Sequence, residues 1–151
     1  MDLKKPGREV ALLNKILELE LAGVVRYTHY SFMVFGMGRI PIIGWLRGQA
    51  TESLAHADLA GEMITTLGAH PSLAIGPLLE TETHVIQAIL RESLEHENAS
   101  LKAYEDLLAV VRDKNVLLEE YARKMVYEEE MHISDVNKML RKPGDVEAYP
   151  L

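Results

Sequence analysis

The spacing of the apolar residues is what most restricts this chain. They recur at alternating steps of three and four through four long stretches, and the alternation of a strand persists nowhere. Glycine and proline set the stretches apart. Pro6-Gly7 precedes a helical pattern from about Arg8 to Phe35, which Gly36-Met37-Gly38-Arg39-Ile40-Pro41 breaks. A second pattern runs from about Pro41 to Leu67 and stops at Gly68, and Ala69 to Leu79, with Pro71, Gly76 and Pro77, reads as a connection. A third runs from about Glu80 to Arg112, Asp113-Lys114-Asn115 is a short turn, and the fourth ends near Arg141 before Pro143-Gly144. Short turns inside each pair predict two antiparallel helical hairpins. The longer link between helices two and three can span the length of a bundle. The expected fold class is therefore all-α, a four-helix bundle in a single domain over residues 1–151.

Composition narrows the chemistry. No cysteine is present, which excludes disulfides, thiolate metal sites and cysteine nucleophiles. A net charge of −7 argues against binding nucleic acid through its phosphates and favours cations as partners. Met1-Asp2-Leu3-Lys4-Lys5 leads into a periodic pattern and not into an unbroken apolar run, so neither a signal peptide nor a membrane span is expected, and a cytoplasmic location is.

Charged groups stand where the apolar stripes should continue. Helix one gives Leu13, Leu17, Glu20, Val24, Tyr27 and Ser31, and helix three gives Ile86, Leu90, Leu94, Glu97, Leu101, Tyr104 and Leu108. Helix four gives Leu118, Tyr121, Met125, Glu129, His132, Val136 and Met139, while helix two gives Leu46, Gln49, Ser53, His56, Ala60, Met63 and Leu67, with Glu52 a step aside. A single inward Glu can lie on a helix rim, and a single inward His is more often a hydrogen-bonded core residue than a ligand. Such groups on four helices near mid-length must neutralise one another, and a pair of divalent cations does so most cheaply. Bundles that hold two metals place a Glu on each of two helices and Glu-x-x-His on each of the other two, and Glu129-Glu130-Met131-His132 has that spacing. Iron suits a mixed carboxylate and imidazole set, and manganese or zinc fits it too. His29, His70, His84 and His96 lack a partner pattern and read as surface or structural residues. Glu95 falls off the stripe, and Glu128 and Glu130 read as a solvated face.

Leu13-Asn14-Lys15, Glu20, Tyr27, His56-Ala57-Asp58, Pro71-Ser72-Leu73, Leu94-Glu95-His96-Glu97 and Glu129-Glu130-Met131-His132-Ile133 together resemble the bacterioferritin branch of the ferritin-like family. The resemblance implies that Glu20, Glu97 and Glu129 are terminal and bridging carboxylates of a di-iron pair, and that His56 and His132 are its nitrogen ligands. It implies that Tyr27 sits beside the metals, where it hydrogen-bonds a ligand or supplies an electron. Two positions depart from the pattern. Ser53 stands where the helix-two motif has Glu, three before His56, and Leu54 stands where bacterioferritins carry a haem-ligating Met, so haem is not expected. After His132 only Ile133 to Leu151 remain, with Pro143, Gly144 and Pro150, which leaves little room for a fifth helix. Glu52, four before His56 and about 40° from it around the helix axis, is expected to supply the missing carboxylate.

The function these readings imply is oxidation of Fe(II) by dioxygen or peroxide, in iron storage or detoxification. The alternatives are a di-metal oxidase or oxygenase for an organic substrate, and a helical assembly protein without catalysis. Val25, Phe32, Phe35 and Ile43 lie outside the bundle stripes, so a homo-oligomer, at least a dimer, is expected.

Overall fold

The computed structural model describes residues 7–150; the lead-in Met1 to Lys5 lies outside the described residues. Four helices follow in order: α1 Arg8–Met33, α2 Arg39–Thr66, α3 Ile86–Val111 and α4 Val116–Leu140. They form two antiparallel hairpins, α1 with α2 and α3 with α4, joined by a long crossover in a four-helix bundle. None of the described helices is long and apolar enough to cross a membrane.

The ends follow from local chemistry. Gly36, with φ +108°, turns the chain between α1 and α2 in a conformation that a side chain would strain. Helix α2 closes in a Schellman arrangement at Gly68: the Ala69 N–H donates to the Ile64 carbonyl at 3.1 Å and the Gly68 N–H to Thr65 at 2.9 Å. Asn115 caps α4, its side chain accepting from the Leu118 N–H at 3.1 Å.

The third helix begins later than the apolar pattern suggests, at Ile86 and not near Glu80. Side-chain oxygens compete there for the backbone donors. Glu80 accepts from the Glu82 N–H at 2.6 Å, Thr83 from the Val85 N–H at 3.4 Å, and Glu82 takes a left-handed φ of 54°. The crossover is longer for that reason, and it is pinned along α1. The Ser72 N–H donates to Asn14 at 2.7 Å, the Gly76 N–H to the Glu18 carbonyl at 2.9 Å, and His29 pairs with Glu80 at 2.9 Å. A Cβ at Gly76 would lie 2.9 Å from the Glu18 carbonyl oxygen, so only glycine lets the strap approach this closely.

The core is divided into two ends. Leu13, Ile16, Leu17, Ala57, Ala60, Ile64, Leu107, Leu118 and Met125 fill one. Tyr27, Tyr30, Leu46 and Ile89, with Leu90, Leu94, Val136 and Leu140, fill the other. Between them lies a layer with Glu20, Ser53, His56, Glu97 and Glu129, all buried. Both faces of that layer are apolar, so water cannot offset its charges.

Candidate metal centre

Each helix brings its polar groups to this layer through the same periodicity that buries its apolar residues. Glu97 is buried and Glu95 exposed, which sets the phase of α3. Glu20, His56 and Glu129 each offer a ligand atom within 4.8 Å of the others, and Glu97, Glu129 and His132 form a second such group. Glu129 belongs to both. It is 1% exposed, and its Oε2 has no hydrogen-bond partner.

The two imidazoles are held from outside. His56 turns Nδ1 toward Glu20 and Glu129, at 3.6 and 3.7 Å, and donates from Nε2 to Glu128 at 3.0 Å. His132 donates from Nε2 to Glu52 at 2.9 Å, which leaves Nδ1 as the ring nitrogen not engaged by Glu52. The rings stack with centroids 6.1 Å apart. An imidazole whose outer N–H is held by a carboxylate is fixed in orientation and made a stronger donor at its inner nitrogen.

Glu52, expected from the sequence among the direct ligands, therefore lies on the outer side of the site. Its nearest groups are His132 and, at 3.9 Å, the Nε2 of His56, and its side chain is 39% exposed. It forms a third potential cation group with His56 and Glu128, apart from Glu20, Glu97 and Glu129. Glu128 is not the solvated residue its place off the stripe suggests: it is half-buried against His56. The signal for it was the second ring nitrogen of His56, which needs an acceptor once the first is used inside the bundle. Among the other histidines, His96 is buried beside Tyr27, whereas His84 donates to the Met33 carbonyl at 2.9 Å and stacks on Phe35.

Two tyrosines brace the acids. The Tyr27 hydroxyl donates to Glu97, and its ring packs edge-on against Trp45 and His96. Tyr104, which sequence reasoning had placed only in the stripe, donates to Glu20 at 2.8 Å. Burial pushes both phenols well above their usual range, and the neighbouring carboxylates push the same way, so both remain protonated donors.

Protonation shows what the cluster lacks. Burial raises Glu129 well above the carboxylate range, and the charge of Glu97 raises it further. Burial also raises Glu20, against the lowering influence of His56. Burial would raise Glu97 as well, but the Glu129 carboxyl and the Tyr27 hydroxyl outweigh it and the group is lowered. His56 is lowered by burial but raised more by Glu129 and Glu20, to about 10. Without cations, burial favours a proton on Glu129, and the neighbouring carboxylates favour a second proton on His56. Those protons occupy places that metal ions would take, and the orphaned Glu129 oxygen fits the same reading. The donors are oxygen and imidazole nitrogen, a set suited to iron, manganese or zinc.

The model of the ferritin-like domain matches residues 10–144. The chain belongs to the ferritin-like family. Bacterioferritin of Desulfovibrio desulfuricans is 19% identical over 145 residues, which cover 93% of this ferritin-like chain and 80% of that protein. Among solved structures, a ferritin-like, diiron-carboxylate protein from Bacillus anthracis superposes with a TM-score of 0.78 at 22% identity, over 90% of this chain and 100% of the other. Rhodobacter capsulatus bacterioferritin, solved with a metal-free dinuclear site and haem iron, gives 0.82 at 21% identity, over 91% and 86% of the two chains. These likenesses carry the ferritin-like fold. The site rests on the residues described above.

Proposed function

We propose that this ferritin-like protein binds two iron ions in the central layer and oxidises Fe(II) with dioxygen or peroxide, serving iron storage or detoxification. The observation that carries the reading is Glu129, a fully buried carboxylate common to both inner ligand groups, with one oxygen lacking any donor. Bound iron would supply the one-electron couples for the reaction. The chain's part is to hold and place charge. Glu20 with His56 would hold one ion, Glu97 with His132 the other, and Glu129 would serve both. Glu52 and Glu128 would orient the imidazoles, and Tyr104 and Tyr27 would orient Glu20 and Glu97. The apolar ends exclude bulk water, so each charge–charge interaction is stronger here than at the surface. Tyr27, protonated and hydrogen-bonded to Glu97, would give a proton and an electron to the site. Leu54 has no thioether to offer a haem iron, and it is 47% exposed.

The protein would act as a homo-oligomer. Val25, Phe32 and Phe35 are 42%, 57% and 59% exposed, an apolar group of the kind that association covers; Ile43 instead packs against the core cluster of Tyr27, Tyr30 and Leu46. An anaerobic Fe(II) titration followed by oxygen tests the reading. Uptake of two ions per chain, followed by absorbance of Fe(III) on oxygen exposure, is expected. Absence of tight metal binding would refute it.

A further inference from the structure

The two hairpins repeat one another around the central layer. Tyr27 follows Glu20, and Tyr104 follows Glu97, by the same seven residues, about two turns along one helix face. Each tyrosine donates to the glutamate of the other hairpin, Tyr27 to Glu97 and Tyr104 to Glu20. Glu52 precedes His56 by four residues, as Glu128 precedes His132, and each outer acid again holds the other hairpin's imidazole. The correspondence reaches one aromatic residue further. Trp45 stands eleven residues before His56, and Tyr121 eleven before His132. Trp45 sets its ring edge-on to Tyr27, with centroids 6.3 Å apart and planes at 90°. Tyr121 does the same to Tyr104, at 6.2 Å and 74°. Both pairs are in ring contact.

We propose that Tyr104, backed by Tyr121, is a second electron donor to the centre, the counterpart of Tyr27 backed by Trp45; this rests on the iron-oxidation reading above.

Bracing Glu20 accounts for the hydroxyl of Tyr104 but not for that of Tyr121. The Tyr121 hydroxyl is buried and has no hydrogen-bond partner. Such a group is destabilising where a phenylalanine ring would fill the same space, so the fold gains nothing from it. Burial pushes this phenol up, while the Tyr104 hydroxyl beside it pulls the other way. That neighbour gives it a chemical use. The Tyr104 O–H passes its proton along the hydrogen bond to Glu20 as the ring gives up one electron. The Tyr121 O–H then transfers a hydrogen atom to the Tyr104 oxygen, which restores Tyr104 and leaves Tyr121 oxidised.

The electron count fits two donors. Reducing one dioxygen to two waters takes four electrons and four protons. Two Fe(II) ions supply two electrons. Tyr27 and Tyr104 supply one electron and one proton each, and solvent supplies the other two protons. Without the tyrosines, two Fe(II) ions and two protons from solvent carry dioxygen only as far as hydrogen peroxide.

The test is a single turnover of the full-length protein, loaded anaerobically with two Fe(II) per chain, mixed with dioxygen and frozen for electron paramagnetic resonance. Tyr27→Phe should still form a tyrosyl radical, and adding Tyr104→Phe should abolish it. The double variant should release hydrogen peroxide for each dioxygen consumed, and the parent should release none. Replacing Tyr104, and separately Tyr121, by 3-fluorotyrosine keeps ring and hydroxyl if the phenylalanine variants do not fold. A fluorine splitting of the radical signal is expected in at least one of these two proteins. In the metal-free protein, Tyr121→Phe should leave Tm unchanged or raise it; a lower Tm would show that the hydroxyl serves the fold and would overturn the inference. Fe(II) oxidation with no fluorine splitting, or with every radical lost in Tyr27→Phe alone, would overturn it and leave the iron-oxidation reading intact. Failure of the parent to bind and oxidise Fe(II) would overturn both.

Discussion

Replacing Glu129 with Gln separates the metal role of this residue from its place in the fold. Glutamine has the shape of the protonated carboxyl that burial favours here, and its amide can present an N–H to Glu97 as that carboxyl does. Because hydrogen bonding changes little, the metal-free variant should unfold within about 1 kcal/mol of the parent. Metal binding should behave differently, since one substitution strikes both inner ligand groups. A ligand at about a hundred times its Kd stabilises a protein by about 2.7 kcal/mol. At about 2–4 °C per kcal/mol for a chain of this size, the parent should gain about 5–11 °C in Tm on metal addition. Glu129→Gln should lose nearly all of that gain. Thermal unfolding followed by circular dichroism, with and without Fe(II) under anaerobic conditions, measures both quantities. A variant that keeps the metal-induced rise would refute the assignment of Glu129. A metal-free variant several kcal/mol less stable would show that the carboxyl supports packing in a way the hydrogen bonds do not reveal.

Other outcomes are expected from the same geometry. The folded-state pKa of His56 is raised from 6.5 to about 10, so its stabilising contribution is complete below pH 6.5 and is lost as pH climbs toward 10; Glu20 and Glu129, also raised, act in the same direction above the ordinary carboxylate range. The Tm of the metal-free protein should fall over that window while metal affinity rises, with protons released on binding that a pH indicator can count. Glu52→Gln and Glu128→Gln should each weaken metal binding by about 10–100-fold without changing the number of ions bound, as seen by calorimetric titration. Tyr27→Phe removes a buried hydrogen bond to a carboxylate and should cost about 1.5–3 kcal/mol in denaturant unfolding, besides slowing Fe(II) oxidation in stopped flow. Asn115→Ala should lower stability by about 1 kcal/mol through loss of the α4 cap and leave metal binding unchanged.

The periodicity of the apolar residues was enough to determine four helices, their pairing and the depth of Glu20, Glu97, Glu129 and His56, because burial in a helix repeats with the turn and charged groups within a stripe stand out against it. The start of α3 was less legible. Thr81, Glu82 and Thr83 continue a plausible pattern, yet their side chains and those of Glu80 can serve backbone donors as well as a helix does. Tertiary structure alone decided which carboxylate meets which imidazole nitrogen. Glu52 and Ser53 flank the same stripe, and spacing along α2 cannot tell whether Glu52 reaches into the centre or around it. Its direction depends on His132, which comes from a different hairpin, and the role of Glu128 depends in the same way on His56. Local sequence sets the face on which a side chain emerges. The partner it finds there is set by how the hairpins pack.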